Sequence, residues 1–300
     1  MQSVTRFFAL SFGIVCFVGV SSAIRAESVG VDLTIHGGKL DRKNVPVTAM
    51  IEMPSGAKTS STVEISVPGG KSIVAQLAAP GISQANVAAG DSTNRRELQF
   101  ILPDIKAGQT LNLHGDFKPA SAGEAAMTGF NWNDVANEHF LLSYGNRPVL
   151  DYMCRPLDES SQAKRDETFK PYHHLYDPDG KILVTKGPGG LYPHHRGMFF
   201  GYNKVSYGNG QTADVWHCTN NCYQSHEKLL DEEAGPVFGR HCVAIDWRGK
   251  DRQPFAHERR EMTVYSLPGG TMIDFASHLE TAGGEVRLDG DPQHSGFHFR

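Results

Sequence analysis

The chain has 300 residues, with 29 Lys plus Arg against 33 Asp plus Glu, and carries 16 Phe, 9 Tyr and 3 Trp. A net charge of −4 without a basic stripe argues against nucleic acid or an acidic membrane surface as partner, and this aromatic content excludes disorder. Beyond the N-terminus no apolar run is long enough to cross a bilayer, and 32 Gly with 16 Pro, lacking helical periodicity, point to a loop-rich β protein.

The first residues read as an export signal. Arg6 supplies the positive region, Phe7 to Val20 the apolar stretch, and Ser21-Ser22-Ala23 a small-residue cleavage site, with Ala26 a second candidate. Val15 is bulky where lipid attachment at Cys16 wants a small residue. The expectation is a signal peptide over 1–26 and a periplasmic or secreted mature protein. Export leaves Cys154, Cys218, Cys222 and Cys242 in an oxidising compartment, with their pairing open. Cys218-Thr-Asn-Asn-Cys222 fits a small disulfide loop or a pair of inert thiols better than a metal site, because no second Cys pair follows it.

Over 27–120, short alternating runs recur: Val31 to Ile35, Val45 to Met53, Thr62 to Val67, Ser72 to Leu77, Glu97 to Leu102 and Thr110 to Leu113. Six or seven strands punctuated by Gly and Pro predict an immunoglobulin-like sandwich with a structural or docking role. Lys118 to Ala126, small and polar, reads as a linker.

The remainder, 127–300, holds twelve of the 14 His and all 3 Trp. His241 to Trp247, Glu261 to Leu267 and Met272 to Glu280 alternate as strands, and Glu159 to Phe169 is the one helical stretch. These features predict a larger antiparallel sandwich. The final run, Gly296-Phe297-His298-Phe299-Arg300, alternates with no partner after it, so the domain is expected to be incomplete at this end. In that run Phe297 and Phe299 are expected to face the core, leaving His294, Gly296, His298 and Arg300 on the opposite side.

Several familiar motifs fail. His226-Glu227 and His257-Glu258 lack the second His of a zincin helix, and Asp177-Pro178-Asp179-Gly180 is a hairpin turn without further calcium ligands. What remains is a set of His-bearing segments: Tyr172-His173-His174, Tyr192-Pro193-His194-His195-Arg196-Gly197, Asp214-Val215-Trp216-His217-Cys218 and Asp289 to Arg300. Imidazole is the usual acid or base near neutral pH, and guanidinium binds a carboxylate with two bonds. His194, His195, His217 and His294 are therefore the candidate catalytic residues. Arg196, Trp216, Asp214, Asp291, His298 and Arg300 are the candidate binding residues.

Arg147 to Pro156, Lys186 to Gly197, Ala213 to Cys218 and Leu288 to His294 resemble four motifs, in order, of a bacterial family labelled PmoA-like. The resemblance covers Phe140 to Arg300 and implies an exported protein of uncharacterised activity, found among sugar-catabolic genes. It also implies a β-supersandwich related to sugar mutarotases and polysaccharide lyases, continuing past Arg300.

Three functions follow as expectations. The first is an exported carbohydrate-active protein that acts on a sugar or uronate by His-based acid/base chemistry, with Trp216 stacked on the ring. The second is a non-catalytic glycan-binding protein. The third, in keeping with a family label that refers to a methane oxygenase, is an enzyme whose metal is held by His194 or His195 with His217 and His294. No cofactor is assigned. The first reading requires these distant His segments to converge on one groove.

Overall fold

A computed structural model describes the backbone of 16–19 and residues 29–55, 57, 62–84, 94–118 and 129–300. The export signal and linker expected from the sequence lie outside the described residues, apart from Cys16–Gly19. Its backbone forms a short strand, β1, paired with the first strand of the N-terminal domain.

That domain contains β2 (Gly30–His36), β3 (Arg42–Glu52), β4 (Thr62–Ser66), β5 (Ile73–Ala78), β6 (Arg95–Ile105) and β7 (Thr110–Lys118). Each of the six expected runs is a strand. The order is β1-β2-β7-β4-β5-β6-β3, antiparallel throughout, in one hydrogen-bonded sheet. Alternate side chains point inward, so Val31, Leu33 and Ile35 of β2 and Val47, Ala49 and Ile51 of β3 join one core. Strands from opposite ends of the sheet share that core, so the sheet closes over itself as a sandwich does.

The C-terminal domain begins with β8 (Phe130–Val135), β9 (His139–Tyr144) and β10 (Arg147–Met153), followed by α1 (Gln162–Thr168) and β11 (Tyr172–Leu175). Next come β12 (Met198–Tyr202), β13 (Lys204–Tyr207), β14 (Gln211–Ala213), β15 (Tyr223–Ala234) and β16 (Phe238–Arg248). The last are β17 (Pro254–Leu267), β18 (Gly270–Thr281), β19 (Val286–Asp289) and β20 (Ser295–Phe299). A six-stranded sheet, β20-β12-β11-β10-β9-β8, packs on a four-stranded sheet, β15-β16-β17-β18, and a third sheet, β14-β13-β19, flanks them. Phe140, Tyr152, Phe200 and Tyr202 from the first sheet meet Val243, Ile245 and Trp247 from the second. The described residues thus form an all-β sandwich protein, and the one short helix among them sits inside the stretch expected to be helical.

The N-terminal domain packs on one end of the outer face of the four-stranded sheet. Gln76 Oε1 accepts hydrogen bonds from the Val237 and Phe238 amides at 3.0 Å each. Tyr265 Oη donates to Gln99 Oε1 at 2.7 Å, and Arg240 pairs with Glu97, both side chains 2% exposed.

Two expectations about β20 separate here. Phe297 and Phe299 do lie on the core side, opposite Phe200 and Met198 of β12. They are nevertheless 45% and 51% exposed, because β20 is the edge strand and lacks a neighbour on its far side among the described residues. Phe297 instead rests against Phe275, at 4.5 Å between ring centroids.

Candidate functional site

The outer face of the six-stranded sheet carries the site. Phe199 of β12 and His298 of β20 stand side by side there in register, and the buried Trp216 packs on both, at 4.8 and 4.7 Å. Three loops bring further imidazoles over this floor. The β11–β12 loop supplies His194 and His195, the loop after β14 supplies His217, and the turn before β20 supplies His294.

The rings form a chain of contacts. His195 to His194 is 4.3 Å, His194 to His217 is 4.5 Å and His217 to His294 is 4.9 Å, while His298 lies 6.0 Å from His195. The candidate catalytic residues His194, His195, His217 and His294 are therefore brought together, with His298 beside them.

A single local device positions two of them. In Asp214-Val215-Trp216-His217 the carboxylate accepts from the Trp216 and His217 amides at 3.0 and 2.8 Å and from His217 Nδ1 at 2.8 Å. In Asp291-Pro292-Gln293-His294 it accepts from the Gln293 amide at 3.0 Å and from His294 Nδ1 at 2.7 Å. A carboxylate on Nδ1–H fixes the tautomer and leaves Nε2 free to take a proton. Asp214 and Asp291, expected to bind substrate, are thus placed to position the two rings.

Position in the loop is fixed at its ends. Lys186 Nζ donates to the carbonyls of Gly187 and Gly189 at 3.0 and 2.7 Å, tying the start of the loop. At its end Gly197 has a φ of +40°, and a Cβ there would sit 2.2 Å from the His173 carbonyl oxygen, so only glycine lets the chain pass.

The remaining imidazoles are held neutral. Burial, then the neighbouring His217 and His195, push His194 down to about 3. Burial, then the Arg300 guanidinium, push His298 down to about 4 and lower His195 as well. Arg300 is exposed and donates through Nε to His298 Nε2 at 2.8 Å.

Two candidate binding residues are corrected. Trp216 is 1% exposed, packed against Phe199, His294 and His298, and has no free face for a sugar ring. Arg196 is fully buried; it donates to the carbonyls of Pro193, Glu167 and Asp166 and lies 4.1 Å over the Phe169 ring. All of its strong donors are spent inside the protein, so it anchors α1 and does not contact ligand.

A groove of about 510 Å³ opens beside the cluster, with His194, His217, Gln162, Phe169, Asn220 and Asn221 in its wall. Of the imidazoles, His194 and His217 line it, while His195, His294 and His298 stand behind or beside them. The amides of Gln162, Asn220 and Asn221 escaped the sequence reading. Their signal was the Cys218-Thr-Asn-Asn run: Cys218, Asn220 and Asn221 take φ of +56°, +52° and +64°, a region that Asn tolerates. Of the two alternatives for Cys218 and Cys222, a small disulfide or inert thiols, the structure shows the second. Cys154, Cys218, Cys222 and Cys242 are all buried free thiols.

A second imidazole cluster lies between the two sheets. His173 and His241 face each other at 2.9 Å between Nε2 atoms, and Tyr152 Oη meets His226 Nδ1 at 3.2 Å. None of these four residues lines the groove. Among the described residues, no group of three or more His, Cys, Asp or Glu side chains is arranged to hold a metal ion.

Residues 140–300, more than half of the chain, match a family described as "Family of unknown function (DUF6807)". No curated protein and no solved structure matches the chain.

Proposed function

We propose that this chain, which belongs to the family of unknown function DUF6807, is an exported protein that binds a sugar or uronate in the groove and moves a proton on it with paired imidazoles. The observation that carries this reading is the pair of Asp-held rings, His217 and His294, 4.9 Å apart, with neutral His194 at 4.5 Å from the first. Epimerisation, β-elimination and hydrolysis each need one group to remove a proton and another to give one. His217 Nε2 is the base in this scheme and reaches the groove directly. His294 stands next to it and is the donor once it carries a proton on Nε2, and the groove amides bind hydroxyls.

The amides also favour a second reading, in which Gln162, Asn220 and Asn221 hold a glycan that is never transformed. One experiment separates the two. The protein is incubated in D2O with a panel of aldoses, uronates and their methyl glycosides, and each mixture is followed by proton NMR. Product formation or deuterium exchange that is lost in both His217→Ala and His294→Ala supports catalysis. A sugar that raises the melting temperature yet stays unchanged supports binding alone, and normal turnover by both variants overturns the imidazole assignment.

A further inference from the structure

We propose that the groove takes an uncharged sugar and turns away a uronate, and that the Asp166 carboxylate on α1 makes the choice. This rests on the sugar reading of the groove and narrows it to one substrate class.

The helix shows the groove a single stripe. Gln162, Arg165, Asp166 and Phe169 are spaced i, i+3, i+4 and i+7, which places them on one side of a helix, and all four line the groove. Lys164, Glu167 and Thr168 fall on the other side, in the wall of a separate cavity of about 250 Å³. Two sets of side-chain bonds fix the direction of the stripe. Arg165 reaches across to the carbonyls of Cys218 and Cys222 at 3.1 and 3.3 Å, at the two ends of the turn that carries Asn220 and Asn221. Gln162 Nε2 donates to Asp166 Oδ1 at 2.8 Å, so the ends of these two side chains lie together on the same side.

The two charged groups of the stripe are not equivalent. The Arg165 guanidinium is spent: its Nη atoms hold the turn, and Nε pairs with Glu159 at 3.4 Å. It has no free edge to grip a ligand carboxylate with two bonds. Arg196 is no substitute, because it is fully buried, lies outside the wall and is bound to backbone carbonyls. Asp166 is half-buried, and among the described residues Gln162 is the one donor to its carboxylate. Oδ2 thus keeps its acceptor capacity.

That difference selects the ligand. An ionised carboxylate only accepts, so it takes charge-assisted bonds from sugar hydroxyls and repels a second carboxylate. Asn220 and Asn221 across the groove bring amides, which donate to sugar oxygens as well as accept. A neutral hexose satisfies both walls. A uronate brings a negative charge to a groove whose cation is already committed.

The test titrates the full chain by thermal shift with methyl glycosides of glucose, galactose and mannose, each matched with its 6-carboxylate. The expected result is a neutral glycoside that binds at least tenfold more tightly than its uronate, with the gap falling below threefold in Asp166→Asn. Salt gives a second readout on the unsubstituted protein, which decides the matter even if the variant does not fold. Raising sodium chloride from about 20 to about 500 mM is expected to tighten uronate binding, because screening relieves repulsion, and to leave the neutral partner unchanged. A uronate that binds as tightly as its neutral partner, or that weakens with salt, overturns this inference and leaves the sugar reading standing. An unchanged gap in Asp166→Asn removes Asp166 as the group that chooses. If no member of any pair binds, the sugar reading itself fails and this inference fails with it.

Discussion

Asp214 accepts three hydrogen bonds, two from backbone amides and one from His217 Nδ1. Asp214→Ala strands all three donors in a half-buried turn. The expected loss is about 1–3 kcal/mol, the range for leaving a buried polar group without its partner. Asp291→Ala also strands three donors, the Gln293 amide, His294 Nδ1 and Asn203 Nδ2, but at a carboxylate that is 49% exposed, where water can replace it, and is expected to lose less. Urea unfolding of both variants checks the order; equal midpoints would remove Asp214 as the organiser of its loop. The grouping of the His segments was legible in the sequence, whereas the Asp-x-x-His spacing that recurs at Asp214 and Asp291 was read there as substrate binding and not as positioning of the rings. The inward course of Arg196 was not legible, because its partners Asp166 and Glu167 lie some 30 positions earlier, on an element whose placement no local pattern records.

His241 gives a pH prediction at the same scale. Burial, then His226 and Arg260, push its pKa down to about 3. The unfolded imidazole takes its proton near 6.5, and the folded one does not until about 3. Its contribution to stability is therefore full above pH 6.5 and is lost as pH falls from there toward 3. His241→Gln removes this one proton from the balance. Between pH 6 and pH 4 its stability is expected to fall less steeply than that of the unsubstituted protein, by about 1.4 kcal/mol per pH unit. Urea unfolding across that range, with parallel slopes for the two proteins, would exclude His241 as an acid-sensitive group.

At the scale of elements, α1 divides the two cavities, with Gln162 and Asp166 on one side and Lys164 and Glu167 on the other. Its start is capped by Ser161, whose Oγ accepts from the Lys164 amide at 3.2 Å. Near its end, Arg196 takes the carbonyls of Asp166 and Glu167 and packs over Phe169. Lysine has neither the fork nor the flat face for this. Arg196→Lys is expected to cost about 2–4 kcal/mol and to weaken ligand binding in the groove, whereas a residue that bound ligand itself would lower affinity at unchanged stability. Guanidinium chloride unfolding together with a thermal-shift screen makes the distinction. The strands were legible because alternation has a physical cause, burial of one face. For β20 the alternation gave the right faces, but not the exposure of Phe297 and Phe299, which depends on β20 being an edge.

At the scale of the molecule, the two domains meet through buried polar groups. Glu97 of β6 and Arg240 of β16 are 2% exposed, Gln99 donates to Glu97 at 3.0 Å, and Arg240 also takes the Ala79 carbonyl. No sequence pattern pairs positions 143 residues apart, so a structural or docking role could be expected of the N-terminal domain but not the residues through which it docks. An ion pair this dry is weak evidence of net stabilisation, because desolvation opposes attraction, but breaking one side leaves an unpaired buried charge. Glu97→Leu is accordingly expected to cost about 3–5 kcal/mol, and Glu97→Leu with Arg240→Met to recover most of that loss. If the N-terminal domain docks through this pair, Glu97→Leu also splits the single calorimetric transition expected of the unsubstituted chain into two, and the double variant rejoins them. Strictly additive losses in the double variant would show that the two side chains act separately, and the domains would then be held together by Gln76 and the Gln99–Tyr265 contact.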